Sequence, residues 1–158
     1  MMELFEIEKV SAIKSLKSAD HILTMTFPLI KDPKLLLAVL QNVCKSFDHG
    51  ANAVLQYEYM YKRISRVPEE LNLKIKYLNS NRLKIEKSLL HTYVELKQLN
   101  EGYKKSPVTF SRQNKFIICA NDYKTMELTP DLLKNYISKA KVFISHVNII
   151  TPLKWKHA

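Results

Sequence analysis

The stretch that decides the fold is Asp32–Ile64, DPKLLLAVLQNVCKSFDHGANAVLQYEYMYKRI. Asp32 can cap a helix, and Pro33 suits a first helical position, where no backbone donor is needed. From there Leu36, Leu40, Val43, Phe47, Gly50, Val54, Tyr57, Tyr61 and Ile64 recur in alternating steps of four and three. This seven-residue repeat predicts one long helix to about Ser65. Leu37, Val39, Cys44, Ala51, Ala53 and Met60 widen its apolar side, so it should pack against more than one neighbour.

Working outward, residues 67–103 carry a second seam: Leu71, Ile75, Leu78, Arg82, Ile85, Leu89, Thr92, Leu96, Leu99 and Tyr103. Val67-Pro68-Glu69-Glu70 is a good helix start, with proline first and acids in the first turn. Asn79-Ser80-Asn81 has low helix propensity, enough to bend or interrupt this helix. A link of about three residues between the seams makes the two helices adjacent and antiparallel. Upstream, Leu4, Ile7, Ile13, Leu16, Ala19 and Leu23 predict a helix over residues 3–26, ending near Phe27-Pro28.

Downstream, Val108–Ser111 and Lys115–Cys119 flank the polar turn Arg112-Gln113-Asn114 and read as a β-hairpin. Thr129-Pro130-Asp131 opens a last helix with Leu133, Ile137, Ala140, Ile144 and Val147 on one face, ending at Thr151-Pro152. The expected fold is mainly α. It is an elongated antiparallel bundle of about four helices, with a small β-hairpin between the third and fourth, in a single domain spanning 1–158. The tail 152–158 is expected to be loose unless Trp155 docks.

Composition narrows the functional classes. The 158 residues carry a net charge of +10, unevenly placed. Residues 1–61 hold six basic and seven acidic side chains; residues 62–158 hold nineteen and eight. An electropositive half is the usual footprint of a nucleic-acid or acidic-surface partner. Most of the charge is lysine, with arginine only at 63, 66, 82 and 112. An A·T-rich coding sequence yields the same bias without any function, and lysine matches phosphate geometry less well than arginine. The longest apolar run, Leu35–Leu40, is far short of the roughly 20 residues that span a bilayer. The acidic N-terminus does not resemble a signal peptide, so a cytoplasmic location is expected. Cys44 and Cys119 lie far apart in apolar runs and read as free thiols.

No reaction chemistry is legible. His21, His49, His91, His146, His157 and the two cysteines show no metal-ligand spacing, and no cofactor motif is present. With two glycines in the chain, there is no phosphate loop and no G-x-S-x-G elbow. Cys44 and His49 point to different helix faces. Arg82 and His91 are separated by eight residues, and Lys141 and His146 by four with lysine for arginine. Neither pair fits the arginine–histidine signature of small helical ribonucleases.

Arg82 occupies a seam position that the pattern reserves for apolar side chains. Folding the hairpin about residues 65–67 sets it near Gly50, whose missing side chain would admit the guanidinium. Pairing with an acid such as Asp48 or Glu86 would then fix helix register. A polar ligand-binding layer of Asp48, His49, Asn52, Arg82 and His91 is the competing reading, although the first three fall on the outer face in this register.

Tyr57, Tyr59 and Tyr61 neighbour Lys62, Arg63 and Arg66, while Lys104, Lys105, Arg112 and Lys115 surround the far end of the next helix and the hairpin. Tyrosines beside bases can stack on unpaired nucleotides while cations hold phosphates. The leading expectation is a non-enzymatic module contacting RNA or a ribonucleoprotein through these residues. A protein-interaction or homo-oligomerisation module, built on the broad apolar face of residues 33–65, is the alternative, and a small helical enzyme is the least supported reading.

Overall fold

A computed structural model describes residues 2–106, 108–112, 115–119 and 125–152. The turn Gln113-Asn114 and the tail from 153, with Trp155, lie outside the described residues. The chain is mainly helical and adds a three-stranded antiparallel sheet.

The decisive seam forms α1's main partner and the molecule's axis. In chain order the first helix, α1, is Leu4–His21, followed by a π turn at Ile22–Thr26 and the short α2, Phe27–Ile30. Helical geometry therefore runs past Pro28 instead of stopping before it. Proline lacks the N–H that would bond the carbonyl four residues back, and its ring crowds that carbonyl. Widening one turn, with Phe27 N–H donating to Ile22 O, accommodates the defect. Lys31, at φ 57°, then ends α2 in the left-handed region.

The axis is α3, Lys34–Met60. Asp32 Oδ1 accepts from the Lys34 N–H at 3.0 Å at its start. Leu36, Leu40, Val43, Phe47, Gly50, Val54 and Tyr57 are all buried, as the repeat requires. α1 packs along α3 through Ala12, Leu16 and Ala19, and α6, Pro130–Ile150, packs on it through Phe143, Ile144 and Val147. Phe47 stacks between Tyr93 (centroids 5.7 Å) and Phe143 (4.8 Å), joining three helices through one row of rings.

α3 stops at Met60, about five residues before the expected end. Arg63 N–H donates to Glu58 O at 2.9 Å and Lys62 N–H to Tyr59 O at 2.9 Å. This is a Schellman cap, in which the residue after the C-cap adopts left-handed geometry. That residue is Lys62, at φ 60°, where glycine is normally found. Lys62→Gly should raise stability by about 0.5–1 kcal/mol, since strain removed exceeds entropy lost. Urea unfolding measures it; a loss of stability would contradict this cap.

The second seam is two helices, α4 (Leu71–Leu78) and α5 (Lys87–Lys104), and not one rod. Between them Lys84 takes φ 54°, while Leu83 and Ile85 are buried and anchor the break. A continuous helix could not bury both of these residues together with the left-handed turn between them.

The sheet consists of β1 (Val108–Arg112), β2 (Lys115–Cys119) and β3 (Thr125–Leu128), in that order. β1 and β2 pair with Arg112 opposite Lys115; β2 and β3 pair with Phe116 opposite Leu128. β3 was not anticipated: four residues are too short for alternation to register. Phe116, Ile118 and Leu128 join the common core. Gly102 in α5 leaves room for β3, since a Cβ there would lie 2.6 Å from the Met126 methyl.

Candidate functional site

Polar side chains of α3 form a ladder of contacts to three neighbouring helices, α1, α4 and α5. Asp48 accepts the Tyr93 hydroxyl and, at 3.1 Å, the Lys97 ammonium. Burial pushes the Tyr93 phenol up, and the Asp48 carboxylate adds to the effect. Burial draws Lys97 down, but Asp48 outweighs it and holds the ammonium above its ordinary range. Asn52 Oδ1 accepts from Lys74 Nζ at 3.0 Å, and His49 Nδ1 lies 2.7 Å from Glu8 Oε2. Asp48, His49 and Asn52 are half-buried and partnered, not on an outer face. They are shared among different elements, and His91 is exposed, so they do not form one layer with Arg82.

The ladder ends at Glu58, which is fully buried. Its carboxylate accepts from Arg63 Nε and from Arg82, whose guanidinium also donates to Tyr77 Oη at 2.9 Å. Arg82 is therefore paired, but with Glu58 and not with Asp48 or Glu86, and its side chain is 49% exposed. The hydrogen bond it donates to Glu58 pushes the guanidinium further above its ordinary range and keeps it protonated. Gly50 serves a different neighbour altogether: α6, through Phe143 and Ile144. The break in the second seam moves residue 82 out of the register that would have set it beside Gly50.

Next to this cluster lies an open cleft of about 1000 Å³, lined by the 64–70 segment and by Leu73, Lys76, Tyr77 and Ser80. Arg66 and Lys76 supply cations on its wall, and Glu69 and Glu70 supply acids. Ser80 Oγ is buried there without a hydrogen-bond partner.

The seven basic candidates divide into two groups. Lys62 and Arg66 are exposed, whereas Arg63 is engaged by Glu58 and lies over the Tyr57 and Tyr61 rings at 5.7 and 5.1 Å. Lys104 and Lys105 close α5 in solvent, Arg112 is exposed on β1, and Lys115 sits 3.4 Å from Glu127. Asp48 meets both Tyr93 and Lys97, which sets α5 against the middle of α3. One group follows the end of α3, and the other lies at the end of α5 and on the first two strands. Glu58 was missed by the sequence reading, although it follows Val54 and Leu55 by one turn on their face.

Cys44 is 2% exposed, and burial pushes its thiol up to about 11 from 9.0, with Asp48 adding to the effect. It is a packing residue and a poor nucleophile. Because the folded state holds this proton more tightly than the unfolded state, stability should fall as pH rises from about 9 through 11, by on the order of 2 kcal/mol. Cys44→Ala should flatten that part of the stability–pH curve; an unchanged slope would contradict the assignment.

Among the described residues, no group of three His, Cys, Asp or Glu side chains gathers as a metal site, and no helix is long and apolar enough to cross a membrane. Compared with models of known families the chain matches none, and no curated protein is similar enough to count as a relative.

Proposed function

We propose that this chain is a non-enzymatic binding module whose basic half, residues 62–158, contacts RNA or a ribonucleoprotein. The carrying observation is charge placement: nineteen basic against eight acidic residues in that half, with Lys62, Arg66, Lys76, Lys84, Lys87, Lys104, Lys105 and Arg112 all exposed. The cleft beside Tyr77 supports a more specific contact, with Arg66 and Lys76 available to phosphate and an unpartnered hydroxyl at Ser80. Glu69 and Glu70 oppose phosphate there, so the lysines outside the cleft carry most of the attraction. The two exposed basic groups, one after α3 and one at the end of α5 and on β1, suit an extended strand or a structured surface better than a mononucleotide. We also propose that α1, α3, the α4–α5 arm and α6 form an elongated antiparallel bundle of about four helices, with the β-hairpin between the third and fourth of these arms. The Asp48 bonds joining α3 to α5 favour it.

A direct test has two arms. Freshly purified protein should show excess absorbance at 260 nm that a high-salt wash removes. A labelled single-stranded RNA should bind at low salt and lose at least tenfold in affinity between roughly 50 and 200 mM salt. Lys104→Ala with Lys105→Ala should weaken binding and flatten that salt slope. Failure to bind RNA or DNA at low salt would end the proposal. The alternative, a protein-interaction module, loses its original motive, because the apolar face of α3 is covered by α1, α5 and α6. Among the described residues, Leu4, Ile7 and Val10 of α1 and Met25, Leu29 and Ile30 after it remain exposed, as do Leu73, Val142 and Ile149 elsewhere.

A further inference from the structure

We propose that α1 forms a two-fold antiparallel pair with α1 of a second copy of this chain. α1 carries apolar side chains on two faces. Phe5, Ala12, Leu16 and Ala19 bury one face in the protein's own core. The opposite face carries Glu3, Ile7, Val10, Lys14, Lys17 and His21, in steps of four and three, which is the spacing of a helix-pairing seam. Ile7 is 46% exposed and Val10 54%, and Leu4 beside them is 63% exposed. A shallow groove of about 510 Å³ continues the stripe past Val10, between Ile13, Lys14, Lys17 and Ser18.

Charge along the stripe selects the partner and its direction. The stripe begins with an acid, Glu3, and past Val10 carries the bases Lys14 and Lys17. A parallel pair would set Lys14 against Lys14 of the second copy and Glu3 against its own counterpart. An antiparallel pair can bring Ile7 against Val10 of the second copy, which simultaneously sets Glu3 against Lys14 of the second copy. The two-fold axis repeats both contacts, giving four apolar side chains closed at each end by an opposite-charge pair. Sliding the helices by one repeat would instead set Val10 against Lys14 and Ile7 against Lys17, which disfavours other registers. Residues 1–61 are close to neutral while residues 62–158 carry the positive excess. Self-association through α1 therefore uses the half without net repulsion and leaves the basic half in solvent. This inference stands independently of the nucleic-acid reading.

Sedimentation equilibrium of the full chain, over about 5 to 500 µM, reads the pairing. The expected result is a concentration-dependent monomer–dimer equilibrium. Val10→Glu should abolish it without lowering the melting temperature, since Val10 has no role in the core. Lys14→Glu should weaken dimerisation about tenfold, because the repulsion it creates against Glu3 occurs twice. Adding Glu3→Lys to Lys14→Glu should restore it to within about threefold, since an antiparallel pair regains both contacts. Melting curves of each variant check that α1 remains folded. A chain monomeric at every concentration overturns the proposal. So does a dimer indifferent to Val10→Glu, or folded double-reversal protein that dimerises no better than Lys14→Glu alone.

Discussion

Gly50→Val should destabilise the protein by about 3 kcal/mol, the upper end of the usual overpacking range. A Cβ at position 50 would lie 2.8 Å from Phe143 Cε2 and 3.3 Å from Ile144 Cδ1. Phe143 is fully buried and cannot swing aside, because it stacks on Phe47, which stacks in turn on Tyr93. Displacing one ring therefore disturbs the contact of α3 with both α6 and α5. Gly50→Ala meets the same ring with a smaller group and gains about 1 kcal/mol of helix propensity, so it should be milder. Shortening the obstructing ring with Phe143→Leu should recover part of the Gly50→Val loss, as contacting sites couple. For a chain of this size the melting temperature should drop by about 6–12 °C. A Gly50→Val protein as stable as the parent would show that α6 does not approach α3 so closely.

The second large effect concerns the buried carboxylate. Replacing Arg63 and Arg82 together by methionine should cost about 4 kcal/mol, because it strands Glu58 without a cation where water cannot reach it. The arginines themselves lose little on release, since their side chains are 39% and 49% exposed. Either single substitution leaves one guanidinium on the carboxylate and should cost about 1 kcal/mol, so the double loss should exceed the sum of the singles. Adding Glu58→Leu to the double variant should recover most of the stability, as an apolar side chain of similar size suits the site. Chemical denaturation of the four proteins supplies the comparison. Strict additivity of the two arginine substitutions would contradict a shared carboxylate.

The two predictions also mark what the sequence could and could not reveal. The seam of α3 was legible because burial on several sides writes a dense seven-residue repeat, and Leu36 through Tyr57 are buried as that repeat implies. The end of α3 was not, because its cap uses Lys62 in a left-handed conformation that no glycine announces. The interruption of the second seam was foreshadowed by Asn79-Ser80-Asn81. Its consequence was not: the break carries Arg82 away from Gly50 and onto Glu58. Pro28 looked like a stop because propensity rules assume regular α geometry, and the π turn evades that assumption. Glu58 went unnoticed for a related reason, since a carboxylate among tyrosines reads as a solvated flank unless its helical neighbours Val54 and Leu55 are weighed. The basic candidates were visible as a composition, but only the fold separates Arg63, held in an ion pair, from Lys62 and Arg66 beside it.

α3 is a buried axis, and the second seam is broken between Leu78 and Lys87, so Arg82 reaches Glu58. Residue-resolved amide hydrogen exchange under native conditions tests it most directly. Amides of α3 from about Val39 to Glu58 should exchange most slowly, with protected α5 following and the 79–86 segment exchanging much faster than the helices on either side. Uniform strong protection from 71 through 104 would contradict the account, because it would require the single continuous helix that the placement of Arg82 excludes.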